Sequence, residues 1–353
     1  MSVDVRKGQR RMILLVDGYR DWHTAKTAIC LLRYCPEEVV AVYDREMAGR
    51  TCQEALGIGG DIPVIGKLED APPSANMLTI GIAPPGGKIP AAWRPIILQA
   101  IHAGLNILSG LHDFVSEDPE FSAAAATRNV ALIDVRKNDE RDVAHRKGIR
   151  QGCLRIHTVA NDCSCGKMVT AVEVTRGLQR RGVDAKFVAT GQTGIMVEGD
   201  GCPVDRVICD FLNGAAEKLV LRNQHHEVIV IEGQGSLYHP RYSAVTLGLL
   251  HGSMPDGLIV CYEMGRTHIA GMPEFPLPPL RELIDYYERT ASIMHPCRVI
   301  GIAVNGYKFS DAEVAAECAR VEQEVGLPAC DVIRHGPDKL VDAVLELKKK
   351  LGK

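Results

Sequence analysis

The sequence predicts an α/β protein of two domains, each built on a mostly parallel sheet with helices on both faces. Three observations carry this expectation. The chain has 353 residues, and at about 150 residues per domain that is enough for two. Hydrophobic residues make up 46% of it, so each domain can bury a sizeable core. Apolar runs of strand length alternate with segments of helical period, most regularly in the second half, and that alternation is the mark of strands joined by crossover helices. The division falls near residue 145, giving domains over 1–145 and 146–353.

In the first domain, residues 12–16 read as a buried strand, 24–34 as a helix and 39–43 as a second strand ending at Asp44. Strand, helix, strand in that spacing is a parallel unit. A short strand is expected at 62–65 and another at 77–82, running into Ala83-Pro84-Pro85-Gly86-Gly87. A helix over 93–103 leads to a strand over 106–109 and then to Gly110, Leu111 and His112. Residues 122–128 read as an alanine-rich connection and 130–135 as a strand. The charged run 136–150 has no apolar periodicity and reads as a linker or a solvated helix. In the second domain, strands are expected at 154–160, 185–190, 227–232, 257–262, 298–305 and 329–333. Helices are expected at 167–180, 204–221, 279–290, 310–324 and 336–350. Ligands of such sheets bind beyond the C-terminal ends of the strands.

Composition excludes several classes. Lys and Arg number 41 against 44 Asp and Glu, a net charge of -3. That balance gives no general electrostatic reason to bind nucleic acid or an anionic membrane, so neither partner is expected. The 34 glycines follow no strict period, which excludes collagen. The 12 cysteines are too few for a disulfide scaffold, and Cys30, Cys209, Cys261 and Cys318 sit in apolar runs. They read as buried thiols of a reducing compartment. Cys163 and Cys165 have no second pair at zinc spacing, so no metal site is expected. Residues 1–11 are charged and precede only five apolar residues, which is neither a signal peptide nor a span. A soluble, cytoplasmic enzyme is expected, with a closed homo-oligomer as the default.

The richest segment is Asn161-Asp162-Cys163-Ser164-Cys165-Gly166-Lys167-Met168, between a buried strand and an amphipathic helix. A loop there turns backbone amides toward a helix N-terminus, which suits an anion. Gly166 lets the backbone approach, and Lys167 reaches phosphate oxygens as a point charge. The motif departs from a Walker A loop at two places. Asn161 stands where the first glycine belongs, and Met168 stands where Ser or Thr would hold magnesium. Thr170, two residues on, points elsewhere on the helix. A phosphate cradle is expected. Metal-bound nucleotide fits less well, since a thioether is a poor ligand for Mg²⁺, although Asp162 or Glu232 could hold the ion from the other side.

Ala160 to Lys167 resembles the variant P-loop of dethiobiotin synthetase and its relatives, with Glu232-Gly233 matching their later Glu-Gly motif. A wider resemblance covers nearly the whole chain. It rests on Ala25-Lys26-Thr27-Ala28, Gly81 to Gly87, Ser109-Gly110-Leu111-His112, Asn161 to Met168, Thr190-Gly191-Gln192-Thr193-Gly194 and Glu232-Gly233-Gln234-Gly235-Ser236. These resemble the DUF1611 family. The resemblance implies an N-terminal Rossmann-like domain and a C-terminal P-loop NTPase-like domain. Part of that family is linked to D-glutamate N-acetyltransferase activity, which implies acetyl-CoA as cofactor, an acidic amino acid as substrate and N-acetyl-D-glutamate as product.

The chemistry fits. Acetyl-CoA carries phosphates that a cradle without a magnesium hydroxyl could hold, and attack of an amine on a thioester needs a base and an oxyanion donor but no ATP. Candidate bases placed at strand ends are Glu232, Glu263, Asp210 and His268. Glu232 is favoured, because a Gly-rich turn follows it. Its structural alternative is a carboxylate that shapes the Lys167 loop, and an ATP reaction would make it a magnesium partner. Arg241 and Arg266, in loops, suit substrate carboxylates, or sit on the surface. Thr190 to Gly194, including Thr193, is an anion nest or a tight turn. In the first domain, Asp44 ends a strand where a dinucleotide fold would bind ribose, but the glycine fingerprint is missing and NAD is not expected. Lys26 binds an anion or is solvated. Two other functions stay open: an ATP- and Mg²⁺-dependent ligase or kinase of the dethiobiotin synthetase type, and a nucleotide-sensing protein without turnover.

Overall fold

A computed structural model describes residues 8–84 and 86–353. Pro85 of the Gly81 to Gly87 run, and the first seven residues of the charged N-terminal segment, lie outside the described residues. The chain forms two compact units. One runs to Asn138 and takes in Ile195–Pro203, and the other comprises Asp139–Gly194 and Val204–Lys353.

The first unit has strands β1 (Met12–Leu15), β2 (Val39–Tyr43), β3 (Val64–Ile65), β4 (Met77–Ile80), β5 (Asn106–Ser109) and β6 (Leu132–Asp134). Their order is β3-β2-β1-β4-β5-β6 and every pairing is parallel. That is the doubly wound order of Rossmann folds. β1 and β4 are buried along their whole length, so they read as continuous apolar runs. The helices are α1 (Lys26–Tyr34), α2 (Cys52–Leu56), α3 (Arg94–His102) and α4 (Pro119–Arg128).

α4 corrects the reading of 122–128 as a connection. The Asp118 side chain accepts from the amides of Glu120 and Phe121, and Pro119 occupies the first turn, both strong start signals. Phe121 and Ala125, four residues apart, are buried against the core that holds Trp93, Ile97 and Ile101. The alanines hid this face.

The second unit begins with an irregular strap over 139–150 rather than a helix. It is not simply solvated. Glu140 is buried and pairs with Lys218 at 2.9 Å, and the Glu217 carboxylate accepts from the amides of His145 and Arg146 at 2.7 and 2.8 Å. The elements that follow are β7 (Leu154–Ala160), α5 (Lys167–Arg180), β8 (Ala185–Val188), α6 (Gln192–Glu198, of which the part from Ile195 belongs to the first unit), α7 (Cys209–Asn223), β9 (Val228–Ile231), α8 (Ser243–Ser253) and β10 (Gly257–Glu263). Then come a hairpin of β11 (His268–Ile269) and β12 (Met272–Pro276), α9 (Leu280–Ser292), β13 (Arg298–Asn305), α10 (Asp311–Val325), β14 (Ala329–Cys330) and α11 (Asp338–Leu351). The sheet order is β14-β13-β10-β7-β9-β8, again all parallel. β7 is central, and the loop after it opens on the edge where the chain has wound to both sides.

α8 is a helix that the sequence pattern does not predict. Its Gly248 and Gly252 look like breakers, yet they let the helix dock on α7: a Cβ at Gly248 would collide with Leu212, and one at Gly252 with the Asn213 carbonyl. Cys209 departs from the expectation of a buried thiol. It is exposed at the start of α7, whereas Cys30, Cys261 and Cys318 are buried as expected. Among the described residues, no helix is long and apolar enough to cross a membrane.

Candidate functional site

β7 ends in the core at Ala160, and Tyr287 fixes that end by donating its hydroxyl to the Ala160 carbonyl at 2.7 Å. The chain then loops through Ser164 and Gly166, both at positive φ (56° and 100°), and enters α5 at Lys167. Gly166 is well suited to its left-handed conformation. α5 has no side-chain cap at its N-terminus and no acidic residue in its first turn. Its leading amides lack intrahelical partners, as at any helix N-terminus. Lys167 is buried, and its Nζ donates to the Asp162 carbonyl at 2.9 Å. Gly233 seals the back of the loop. Its amide donates to Thr158 Oγ1 at 3.0 Å, and a Cβ there would strike the Thr158 carbonyl and come within 2.9 Å of Lys167 Cδ. Met168 is half-buried. The Thr170 hydroxyl accepts from Cys261 Sγ at 3.5 Å in the core, so it faces away from the loop as expected.

Asp162 is the hub of the loop. Its side chain has no exposure. Oδ1 accepts from the Cys163 amide at 2.6 Å. Oδ2 accepts from Arg266 Nη1 and from the Ala270 amide, both at 2.8 Å. Arg266 also donates to the Cys163 carbonyl at 2.9 Å and pairs closely with Glu263. The Asp162 carboxylate, Cys163 Sγ and a ring nitrogen of His239 lie within 4.8 Å of one another, a spacing that metal ligands also show. The surroundings do not suit a divalent cation. A guanidinium already occupies the carboxylate. The Arg241 amide donates to His239 Nδ1 at 3.1 Å, which leaves the proton of the neutral ring on Nε2, the nitrogen 3.7 Å from Asp162. Burial lowers the His239 pKa and so favours that neutral ring.

Glu232 follows β9 and is buried. Its Oε2 accepts from the amides of Thr190 and Gly191 at 2.9 and 3.0 Å, and Gln234 Nε2 approaches Oε1 at 3.2 Å. A Cβ at Gly194 would collide with this carboxylate. The nest expected at Thr190 to Gly194 therefore exists, and its occupant is Glu232. Burial pushes the Glu232 pKa up to about 7, against the lowering effect of the two amides and of Lys167. Thr193 is buried at the start of α6, where its hydroxyl meets Gln192 Nε2 at 2.7 Å.

The other expected residues are distributed unevenly. Glu263 is buried at the end of β10 between Arg266 and Lys308, the latter at 2.7 Å. His268 is exposed at the start of β11, with Nδ1 3.0 Å from Thr267 Oγ1. Arg241 is exposed beside His239. Asp210 is not at a strand end; it sits exposed in the first turn of α7. Sequence reasoning missed Tyr287, Ala270 and Lys308, since no local pattern ties them to the loop. In the first unit, Arg20 takes the Asp44 carboxylate at 2.7 and 3.1 Å, so the acid at the ribose position is already engaged. Gly81 serves close packing there, since a Cβ would meet the Leu15 carbonyl at 2.9 Å.

A Gly-Lys loop between a central parallel strand and a helix, carried in one chain with a doubly wound unit, defines a two-domain α/β protein with a Rossmann-like and a P-loop domain. Residues 45–138 match the Rossmann-like domain of unknown function DUF1611_N, and residues 142–341 match the P-loop domain of unknown function DUF1611_C. The chain belongs to the DUF1611 family. It is 38% identical over 338 residues to a D-glutamate N-acetyltransferase of Tritonibacter scottomollicae, covering 94% of this chain and 97% of that protein. A D-glutamate N-acetyltransferase of a Pseudoalteromonas species is also 38% identical, over 77% of this chain and 82% of its own. The crystal structure of a DUF1611 family protein from Anabaena variabilis superposes with a TM-score of 0.89 at 37% identity, covering 96% of this chain and 99% of that one.

Proposed function

We propose that this protein transfers the acetyl group of acetyl-CoA to the amine of D-glutamate, giving N-acetyl-D-glutamate and CoA. Two relatives named D-glutamate N-acetyltransferase support it, aligned over 94% and 77% of this chain. The observation that carries it is electrostatic. The loop offers open amides and Lys167 to a phosphate, while each nearby carboxylate is already satisfied from within: Asp162 by Arg266 and two amides, Glu232 by two amides, Glu263 by Arg266 and Lys308. Such a site suits an anion held without magnesium, and CoA needs no metal. The cradle is Asn161 to Met168, with Thr193 beside the Glu232 nest.

The position of the thioester follows from the length of CoA. With its phosphates in the cradle, the acyl group lies a whole pantetheine arm away. Glu232, whose neighbour Gly233 packs on Lys167, belongs to the phosphate end and acts as a brace. Glu263 is held as an ion-paired carboxylate and Arg266 as its partner. The reacting end then falls to the exposed residues of the rim. His268 takes the proton that the ammonium must lose before it attacks, and Arg241 pairs with a substrate carboxylate. The amine forms the new C–N bond, the C–S bond breaks, and CoA leaves as a thiolate that takes up a proton.

The sensing alternative is weakened because Arg266 and Glu232 both abut the loop. The ATP alternative needs magnesium ligands that these contacts do not leave open. The test is an assay of purified protein with acetyl-CoA and D-glutamate, with and without EDTA, following N-acetyl-D-glutamate by mass spectrometry. EDTA-resistant product is expected, with kcat reduced about 10² in His268→Gln. Absence of acetylated product, or ADP release from ATP and Mg²⁺ with D-glutamate, overturns the proposal. A closed homo-oligomer is the proposed state in solution, to be checked by light scattering.

A further inference from the structure

We infer that Asp162 couples the cradle to the β11–β12 hairpin, so that an anion bound at Lys167 sets the position of the strand that carries His268. This rests on the reading of the loop as a phosphate site. One fully buried carboxylate gathers donors from both elements. The Cys163 amide belongs to the loop, Arg266 lies two residues before the hairpin, and the Ala270 amide lies in its two-residue turn. The hairpin tip is thus docked on the cradle through Asp162 Oδ2. The Cys163 residue is gripped at both polar groups, its amide by Asp162 and its carbonyl by Arg266. Lys167 holds the carbonyl of Asp162 itself. An anion that draws Lys167 and the leading α5 amides toward itself must therefore pull on the Asp162 backbone, and through its carboxylate on Ala270 and Arg266. Arg266 passes the pull to Glu263 at the end of β10, and Glu263 in turn pairs with Lys308 from the loop after β13.

Asp162 is a positioning residue in this scheme, and coupling is reciprocal. The factor by which the ligand secures the hairpin is the factor by which a docked hairpin tightens the ligand. A merely static brace would hold the hairpin equally well with the cradle empty or filled.

The experiment is amide hydrogen exchange over residues 267–276, with and without saturating CoA, and in parallel with inorganic pyrophosphate. In the wild type, either ligand should slow exchange about fivefold or more, the lower end of ordinary coupling. In Asp162→Asn that protection should vanish and CoA affinity should fall by a similar factor. Arg266→Gln, which leaves the loop's own carboxylate in place, should lose part of the protection and serves if Asp162→Asn does not fold. Binding without any change in hairpin exchange, or full protection in both variants, overturns the coupling and leaves the phosphate reading intact. Failure of CoA and pyrophosphate to bind at all overturns both. Intact coupling without D-glutamate turnover overturns only the proposed reaction.

Discussion

Replacing Glu232 by Gln separates a brace from a base, and its size can be worked from the contacts. The amide oxygen can keep the Oε2 position and accept from Thr190 and Gly191, so both nest bonds survive. The amide nitrogen then meets Gln234 Nε2 at the Oε1 position, and that side chain must turn over. The loss is one hydrogen bond, roughly 0.5–1.5 kcal/mol. The charge matters more. Burial raises the folded-state pKa to about 7 from an ordinary 4.5, so the folded protein binds a proton that the unfolded chain has released. Its stability is therefore greatest below the unfolded value and declines as pH rises through 7. The shift corresponds to roughly 3 kcal/mol. Gln cannot ionise. Glu232→Gln should be less stable than wild type near pH 5, and the gap should close or reverse by pH 8. Urea unfolding midpoints at several pH values measure this directly. Stability curves that stay parallel from pH 5 to 8 would refute the raised pKa, and a kcat loss of about 10² at unchanged stability would restore Glu232 as the base.

Three further outcomes are expected. Lys167→Ala should weaken CoA binding at least about tenfold by calorimetry, the loss of one charge-assisted contact; a folded variant with unchanged affinity contradicts the cradle. Met168→Thr, which installs the missing magnesium hydroxyl, should not raise acetyl transfer with or without Mg²⁺. At the opposite end of the second sheet, Asp256 holds Arg155, His295 and Lys353 at 3.2, 2.8 and 2.7 Å. Burial pushes its pKa up, but His295, Arg155 and Lys353 together hold it below the usual value. Its contribution is therefore present above the ordinary carboxylate range and is lost as pH falls through the depressed value. Asp256→Asn should lower stability by about 3–5 kcal/mol at neutral pH and flatten the acid limb of the curve.

The elements that were legible in the sequence share a property: one local signal defines each. α5 runs Lys167–Arg180 as its period and the Gly166 junction imply, and β7 and β13 have the expected bounds. α4 and α8 were hidden because the residues that make them pack, alanine and glycine, carry little hydrophobic signal. The hairpin has four of its five β12 residues exposed and no clean alternation. At the site, the strand–loop–helix junction from Ala160 to Lys167 was readable because it is contiguous. The partners of Asp162 were not, since Arg266 and Ala270 are 104 and 108 residues away. Glu232 was legible as a strand-end carboxylate, but its occupancy of the Thr190 nest depends on how β8 and β9 lie side by side, which no spacing reports.

The packing of α7 bears on how homologous sequences should be compared. On one side Gly214 lies against the Asp142 carbonyl of the strap, and elsewhere Leu212 and Asn213 receive Gly248 and Gly252. Any side chain at these three positions collides with backbone or with a buried leucine. An alignment of relatives would therefore show invariant columns at 214, 248 and 252, near others that mark the cradle. A conservation map alone would merge them into one surface and overstate the size of the active site. Mutational scans with separate readouts for abundance and turnover would divide them, the glycines falling with abundance and Lys167 with turnover.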